Sequence, residues 1–231
     1  MIGIILTGSS RGLGKAFFDE LNNKDLYLYC ISRRFLSYQK DLEKKNNKIK
    51  LIKCDLIKVE DLNKTIKIFE SISLENINEL FFINNAGIVE PIDKVGKLDD
   101  EMIYRSIYVN FLAPVLFTNK IMKFNDLKIT ILNISSGAAN KPFEGWAMYC
   151  STKAGYKMFS EVLLAENLKN NQINIHNIDP GVMDTDMQCK IRESNSEKFP
   201  LHDVFVKFKT EDKLVPAKKV AKEIIREYIN I

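Results

Sequence analysis

The sequence predicts an α/β fold in which a parallel β-sheet is covered by helices on both faces. Apolar runs of strand length recur along the chain, and such runs are typical of strands buried on both faces. Stretches with helical spacing of apolar residues separate them. Strands that alternate with helices form a parallel sheet. Right-handed crossovers then favour a doubly wound arrangement with the strand order 3-2-1-4-5-6.

The predicted elements follow one another in a regular order. The strands are Ile2 to Leu6, Leu26 to Ile31, Ile49 to Lys53, Leu80 to Ile83, Ile129 to Ile134 and Ile173 to Ile178. Helical spacing is clearest in two sets, which are Val59, Leu62, Ile66, Phe69 and Ile72, and Met158, Val162, Ala165 and Leu168. Ligands of doubly wound sheets bind outside the carboxyl ends of the strands. Functional residues are therefore expected just after each strand.

Length and composition predict one domain over residues 1–231. The chain of 231 residues has only 10 glycines and 6 prolines, spread without a linker. The formal charge of +4 comes from 34 basic and 30 acidic residues, which are interleaved. The densest basic region, Lys40 to Lys50, lacks the aromatic residues that stack on bases. Nucleic-acid binding is therefore not expected.

The cysteines predict neither a metal site nor a disulfide. Cys30, Cys54, Cys150 and Cys189 form no C-x-x-C pair and no regular spacing with His176 and His202. The chain starts almost directly on the first predicted strand, and no apolar run is long enough for a secretion signal or a membrane span. We expect a protein of the reducing cytoplasm without a membrane partner.

A glycine motif links the first strand to the first helix. It reads Thr7-Gly8-Ser9-Ser10-Arg11-Gly12-Leu13-Gly14. Glycine permits a tight turn and a close backbone approach, and a helix N-terminus offers free N–H groups and a positive dipole end to a pyrophosphate. The motif predicts a Rossmann-type dinucleotide site with the ligands Gly8, Ser10, Arg11, Gly12, Leu13 and Gly14. The alternative is a plain tight turn.

The residues after the second strand predict the type of dinucleotide. An NAD-specific site usually places an acid about twenty residues after the glycine motif, but this chain has Ser32, Arg33 and Arg34 there. Guanidinium groups and a hydroxyl suit a 2′-phosphate, and Arg11 would add to the same pocket. The expected cofactor is NADPH or NADP+. The alternative is that both arginines are ordinary surface residues.

Tyr149 and Lys153 predict a site for hydride transfer. Residues four apart lie on one face of a helix, so the ammonium can sit beside the phenol and favour its ionised form. A free phenol titrates near pKa ~10, which is high for proton exchange near neutrality. Ser136, thirteen residues upstream of Tyr149, could hold a substrate carbonyl, with Ser135 as its rival. Alone, the Tyr-Lys pair could be two ordinary helix residues.

Together these motifs resemble the short-chain dehydrogenase/reductase family over nearly the whole chain. The likeness extends to Asn133-Ile134-Ser135-Ser136-Gly137-Ala138-Ala139, Gly145-Trp146, Pro180-Gly181-Val182, Met183-Asp184-Thr185-Asp186-Met187-Gln188 and Arg192-Glu193. Within the family, these runs look most like the sepiapterin reductase and benzil reductase group.

The resemblance implies roles for the catalytic residues. Ser136 would orient the substrate carbonyl, and Tyr149 would pass a proton to its oxygen. Lys153 would bind the nicotinamide ribose and lower the phenol pKa. Asn110 would hold, through its backbone at a helix distortion, a water that links Lys153 to solvent; alternatively, it caps a helix turn.

The resemblance also implies further cofactor contacts. Asp55 and Leu56 would contact the adenine, although Asp55 could equally cap a helix. The segment Asn85, Ala86 and Gly87 would run along the ribose side, its alternative being a plain turn. Pro180, Gly181, Val182 and Thr185 would hold the nicotinamide carboxamide.

An apolar substrate pocket is expected from Phe143, Trp146, Met183 and Met187. A covering segment of about 183–214 adds Phe199, Phe205 and Phe208; alternatively, these aromatics are only core. The implied activity is NADPH-dependent reduction of a small apolar or aromatic ketone or diketone. The alternatives are a 3-oxoacyl-[acyl-carrier-protein] reductase and a non-catalytic NADP-binding sensor. The intact Ser136, Tyr149 and Lys153 argue against the sensor.

The C-terminal residues predict the assembly. Sepiapterin reductases carry a final strand with an acid that anchors the pterin, whereas this sequence ends at Tyr228-Ile229-Asn230-Ile231. A seventh strand is expected to be missing or vestigial, and pterin reduction is not expected. Family members pair through helices that here span about Asp99 to Phe124 and Ala147 to Leu168. Their second interface uses the last strand, so we expect a homodimer, with a tetramer as the alternative.

Overall fold

A computed structural model of the chain describes residues 1–71, 76–124 and 126–231, and the side chains of 70 and 71 are not included. Six parallel strands form the main sheet: β1 (Ile2–Thr7), β2 (Tyr27–Ser32), β3 (Ile49–Lys53), β4 (Glu79–Asn84), β5 (Lys128–Ile134) and β6 (Ile173–Ile178). Their order is β3-β2-β1-β4-β5-β6. The predicted fold and strand order are confirmed. Ile72 lies outside the described residues.

Helices cover both faces of this sheet. They are α1 (Gly12–Leu21), α2 (Ser37–Lys45), α3 (Val59–Ser71), α4 (Asp100–Ile107), α5 (Ala113–Ile121), α6 (Ala147–Glu166), α7 (Asp186–Arg192), α8 (His202–Thr210) and α9 (Ala217–Ile224). Two π-helical turns, Tyr108–Leu112 and Ile225–Ile229, follow α4 and α9 directly. The first of these turns joins α4 to α5.

Successive residues of a strand supply the two opposite cores. In β1, Ile4 and Leu6 pack in one apolar cluster with Phe17 of α1. Ile5 points to the other face and packs in a second cluster with Phe117 of α5. Because both faces are buried, every position of the strand favours an apolar residue, which explains the continuous apolar runs.

The chain beyond β6 forms the covering segment and the last helix. Two short parallel strands, β7 (Met183–Asp184) and β8 (Val215–Pro216), pair with each other and so join the two ends of the segment that carries α7 and α8. The following α9 packs against α1. Among the described residues, no seventh strand pairs with β6.

The apolar stripe of α6 faces outward. Met158 is 59% exposed and Val162 is 49% exposed, and Leu168 lies beyond the end of the helix at 75% exposure. Tyr104 and Ile107 of α4, which packs on α6, are also exposed. Helical spacing thus identified the helix correctly, but this stripe does not cover the sheet.

Candidate active site

A cavity of about 600 Å³ opens at the carboxyl ends of the strands. Its lining includes every residue expected to contact the cofactor: Gly8, Ser10, Arg11, Gly12, Leu13, Gly14, Ser32, Arg33, Arg34, Asp55, Leu56, Asn85, Ala86, Gly87, Tyr149, Lys153, Pro180, Gly181, Val182 and Thr185. Ser136 and the expected pocket residues Phe143, Trp146, Met183 and Met187 line it as well. The topology therefore gathers segments from the whole chain around one space.

The glycine loop is fastened to the turn after β4. A Cβ atom on Gly14 would lie 2.1 Å from the carbonyl oxygen of Gly8, so only glycine fits there. Thr7 Oγ1 accepts hydrogen bonds from the backbone N–H groups of Asn85 and Ala86, both at 3.0 Å, and Asn85 Nδ2 donates to Thr7 O at 2.9 Å. Asn85 therefore holds the two cofactor-facing loops together.

Unpaired cations lie at one end of the cavity. Arg33 and Arg34 are exposed, and neither forms an ion pair within the described part of the chain. The Ser32 hydroxyl is buried, 3.3 Å from Ser9 Oγ. Arg11 differs, because its guanidinium lies 3.5 Å from Asp186 at the start of α7. Two free guanidinium groups in the lining of one cavity fit a phosphorylated ribose.

The three expected catalytic side chains meet at the centre of the cavity. Tyr149 is 6% exposed, and Lys153 Nζ lies 5.8 Å from the centre of its ring. Lys153 Nζ donates to the Ile134 carbonyl at 2.8 Å, which fixes it below the end of β5. Ser136 follows β5 by two residues, and its Oγ accepts from Ala138 N at 3.2 Å. The sequence spacing thus brings a phenol, an ammonium and a hydroxyl to one point.

Burial moves the pKa values of this pair in opposite directions. It raises the pKa of Tyr149 to about 12; the neighbouring Ser136 hydroxyl opposes this shift and the charge of Asp179 adds to it. Burial lowers the pKa of Lys153 to about 8, against the attraction of Asp179. Desolvation therefore dominates the pKa of the phenol, and the stabilisation of its ionised form by the Lys153 ammonium stays a prediction. Near neutrality the phenol carries its proton and the lysine its charge.

Asn110 lies below the cavity and not in its lining. It belongs to the π-helical turn, which is the expected helix distortion. Its Oδ1 accepts from Ile88 N at 2.9 Å and its Nδ2 donates to Ile88 O at 2.8 Å. Nδ2 also lies 3.3 Å from Thr152 Oγ1 of α6. The side chain therefore ties the segment after β4 to the helix that carries Tyr149 and Lys153.

A second, small cavity adjoins Asn110 and Lys153. Its volume is about 10 Å³, and polar side chains of three strand ends, Asn84, Asn133 and Asn177, line it. This is about the space of one water molecule with several polar partners. The water-holding role of Asn110 stays a prediction.

Asp55 lies in the turn before α3 and does not cap that helix, which begins at Val59; its contact with the adenine stays a prediction. It lines the large cavity, and its Oδ1 accepts from Ile57 N at 3.5 Å in the turn before α3.

Thr185 precedes α7, and its side chain makes no capping hydrogen bond. Its hydroxyl thus remains available to a ligand.

An aromatic cluster closes the other end of the cavity. Trp146 is 4% exposed and stacks on Phe199, with ring centres 4.5 Å apart. Phe143 and Phe205 flank Trp146 at 5.4 Å each. Phe205 lines the cavity, whereas the fully buried Phe199 lies behind Trp146. Phe208 packs on Phe205 at 5.6 Å.

Gly145 lets the covering segment approach this cluster. Its φ is +84°, and a Cβ atom there would lie 2.2 Å from the carbonyl oxygen of Lys198. A side chain would push the segment away from Trp146. The glycine therefore determines how tightly the aromatic end is closed.

The sequence reasoning missed several residues of the lining. Asp179 directly precedes Pro180, and its Oδ1 accepts from Gly181 N at 3.1 Å. Gln188 ends the run that begins at Met183. Proximity to these motifs could have indicated both residues. Arg105 of α4 also lines the cavity, but nothing in the sequence distinguishes it from a surface arginine.

The comparisons with known proteins identify the family of the chain. Residues 3–196 match the model of the short chain dehydrogenase family. The chain belongs to this family. It is 37% identical over 227 residues to the benzil reductase ((S)-benzoin forming) of Bacillus cereus, covering 96% of this chain and 91% of that protein. It is 27% identical to the sepiapterin reductase of Xenopus tropicalis, covering 96% and 88%.

A solved structure shows the same family architecture. The KRED1-Pglu enzyme superimposes with a TM-score of 0.82 at 26% identity, covering 96% of this chain and 92% of the other. Members of the family bind nicotinamide dinucleotides, and this short-chain dehydrogenase is an oxidoreductase that interconverts carbonyl and hydroxyl groups of small molecules. In the part of the chain that the structure describes, no helix is long and apolar enough to cross a membrane.

Proposed function

We propose that this protein is an NADPH-dependent carbonyl reductase of small apolar or aromatic ketones and diketones. The observation that carries the proposal is one continuous cavity. It is lined by two unpaired arginines, then by Ser136, Tyr149 and Lys153, and then by the aromatic cluster. A charged dinucleotide and an apolar carbonyl compound would thus meet beside a proton donor.

The residues present fit the dinucleotide. The glycine loop and the first turn of α1, which line the cavity, suit the pyrophosphate. Arg33 and Arg34 would take the 2′-phosphate. Val182 and Thr185 would hold the carboxamide of the nicotinamide. When bound, the cofactor supplies the hydride.

The protein's own contribution is to hold the carbonyl and supply a proton. The hydroxyls of Ser136 and Tyr149 would donate hydrogen bonds to the carbonyl oxygen, and Tyr149 would transfer its proton to that oxygen as charge develops there. Since burial keeps the phenol protonated near neutrality, the donor is in the state that reduction requires. The Lys153 ammonium stabilises the negative charge that forms on the phenol.

The aromatic end supports an aryl ketone as substrate. Trp146 and Phe143 offer flat apolar surfaces within reach of Tyr149, and the benzil reductase relative is named for an aromatic diketone. The test is NADPH oxidation with benzil, diacetyl, sepiapterin and an acetoacetyl thioester. We expect benzil to give the highest kcat/KM and sepiapterin to be poor. A clear preference for the thioester would favour a 3-oxoacyl reductase, and no oxidation with any carbonyl would favour a sensor.

We also propose that the protein is a homodimer that pairs through α4 and α6, and that it is located in the cytoplasm. Tyr104, Ile107, Met158 and Val162 form an exposed apolar surface on these two packed helices, here called the α4/α6 surface. A two-fold axis through such a surface would bury it against itself.

A further inference from the structure

Two polar atoms at the aromatic end of the cavity are buried without a hydrogen-bond partner. Trp146 Nε1 and Gln188 Oε1 have none within the described part of the chain. Trp146 is 4% exposed and Gln188 is 3% exposed. Buried polar groups are almost always satisfied, because an orphaned donor or acceptor is costly. Arg105 Nε, on a third residue of the cavity lining, has no partner in the described part of the chain either. Orphaned atoms on residues of one cavity therefore indicate a missing ligand, and two of them belong to its aromatic end.

Each of the two atoms has one defined hydrogen-bonding role. An indole nitrogen can only donate a hydrogen bond. The Gln188 amide lies 2.9 Å from the Phe205 carbonyl oxygen, which can only accept. The NH₂ group must therefore face Phe205, which leaves Gln188 Oε1 as the free acceptor. The aromatic end thus holds one free donor and one free acceptor.

Both residues flank the proton donor. The Trp146 ring lies 5.5 Å from the Tyr149 ring, one helical turn earlier on the chain. Gln188 follows Met187, whose Sδ lies 3.9 Å from Tyr149 Oη. Trp146 and Gln188 also share Phe205 as a neighbour. A substrate whose carbonyl lies at Tyr149 would therefore extend toward both residues.

We propose that Trp146 Nε1 and Gln188 Oε1 form a subsite for a second oxygen of the substrate, next to the carbonyl that is reduced. This proposal rests on the proposed function. A hydroxyl group would satisfy both atoms, since it accepts from the indole and donates to the amide oxygen. A second carbonyl would satisfy the indole only, and a CH₂ group would satisfy neither. The site therefore selects hydroxyketones and diketones over simple ketones.

Three ligands with one carbon skeleton test the subsite by binding alone. Benzoin, benzil and deoxybenzoin carry a hydroxyl, a carbonyl and a CH₂ group, respectively, beside a ketone. Trp146 is the only tryptophan of the chain, so the ¹⁵N-labelled protein gives a single indole N–H resonance. The titrations use the full chain with NADP+ and the Tyr149→Phe substitution, which prevents turnover. We expect benzoin and benzil to move the resonance downfield and deoxybenzoin to leave it near its starting position. Equal displacement by all three bound ligands would overturn the proposal.

Two variants separate the donor from the acceptor. Trp146→Phe keeps an aromatic ring but removes the N–H, so the ratio of kcat/KM for benzil over deoxybenzoin should fall about tenfold, the value of one buried hydrogen bond. Gln188→Met keeps the length of the side chain but removes the acceptor. It should weaken benzoin binding about fivefold relative to benzil. Unchanged ratios in both variants would refute the subsite.

Phe143→Leu is the matched control, because it trims the same cavity without removing a hydrogen-bonding group. It should lower kcat/KM for benzil and deoxybenzoin together and leave their ratio unchanged. If the wild-type protein reduces neither ketone, the proposed function fails, while the indole resonance still decides whether the subsite exists.

Discussion

At the scale of single residues, the proposed chemistry depends on two buried ionisable groups one helical turn apart. Burial raises the pKa of Tyr149 and lowers the pKa of Lys153. Asp179, whose charge acts on both, raises both pKa values. The protonation state of the site therefore depends on desolvation as much as on contacts between the residues.

Removal of the phenol hydroxyl should stop turnover without loss of the cofactor. Because a general acid contributes ~10²–10⁴-fold, Tyr149→Phe should lower kcat by about that factor, while NADPH fluorescence reports unchanged binding. Tyr29→Phe, which alters a buried phenol of β2 away from the cavity, is the control and should keep kcat. Near-normal turnover of Tyr149→Phe would contradict the assigned mechanism.

The pH profile should report Lys153. Its pKa is lowered to about 8, so the ammonium is present below that pH and is lost above it. Reduction should therefore decline as the pH rises through about 8. Asp179→Asn removes a charge that raises this pKa, so the decline should move to lower pH.

The control for this shift is Asp184→Asn, which alters an exposed carboxylate paired with Lys209. It should leave the pH profile in place. If the Asp179→Asn profile coincides with that of the wild type, Asp179 does not act on Lys153.

Cofactor preference should depend on Arg33. Arg33→Asp replaces a phosphate partner with a repelling charge. The loss of a charge-assisted hydrogen bond alone corresponds to about ten- to a hundredfold in affinity. The ratio of kcat/KM for NADPH over NADH should fall by at least that factor. Arg226→Asp changes an exposed arginine on the terminal π-helical turn and should leave the ratio unchanged. An unchanged ratio for Arg33→Asp would remove Arg33 from the site.

At the scale of elements, the covering segment is a separate unit tied down at its two ends. The pairing of β7 with β8 joins these ends, and the stacking of Trp146 on Phe199 fastens its middle to the residue that precedes α6. Gln188 links α7 to α8 through the Phe205 carbonyl. Opening of the segment would therefore expose the aromatic end and would also break the contact of Asp186 with Arg11 in the glycine loop.

Gly145 offers a test of this fastening. Gly145→Ala combines the cost of a positive φ with a clash against Lys198, so the segment should shift, KM for the ketone should rise and the melting temperature should fall. Gly96→Ala is the matched control, because its φ is +93° and no atom lies within 4 Å of the added Cβ. Gly96→Ala carries only the conformational cost of an alanine at positive φ, so the melting temperature of this variant should fall less than that of Gly145→Ala. Its KM for the ketone should stay constant. Equal effects of the two substitutions would show that the close approach at Gly145 is unimportant.

At the scale of the whole molecule, the strand order of the sheet determines where the cavity lies, and the helices determine which side chains form the outer surface. From β1, the chain adds strands first toward one edge of the sheet and then, starting with β4, toward the other edge. The glycine loop follows β1 and the Asn85 turn follows β4, so both loops lie where this direction changes. On the far side of α6, the α4/α6 surface leaves large apolar side chains exposed on the single chain. We expect a second copy of the chain to cover this surface, as in the proposed homodimer.

A charge in the α4/α6 surface should prevent pairing. Val162→Asp would bury an unpaired carboxylate in the proposed interface, which is strongly unfavourable, so light scattering should give the mass of a monomer instead of a dimer. Val95→Asp alters a valine that is 79% exposed elsewhere, and its mass should match that of the wild type. A stable tetramer of the wild type, or a dimer that survives Val162→Asp, would place the interface elsewhere.

The sequence by itself determined the fold and the candidate residues of the reaction. Continuous apolar runs such as Ile2 to Leu6 specify strands buried on both faces, and their alternation with helices leaves few topologies. The helical spacing of Tyr149 and Lys153 and the position of Ser136 just after a strand predict the candidate catalytic group, because a helical turn and a strand end are local geometries. These parts follow from short-range constraints that can be read along the chain.

Only the tertiary structure decided how these residues behave. The direction of the Tyr149 and Lys153 pKa shifts depends on burial by segments far apart in the chain. The helical spacing of Met158 and Val162 could not show that their stripe faces outward, because periodicity defines a face but not what covers it. The free donor of Trp146 and the free acceptor of Gln188 became visible only when every neighbour was in place. Solvation and hydrogen-bond satisfaction are properties of the packed molecule, and no local pattern encodes them.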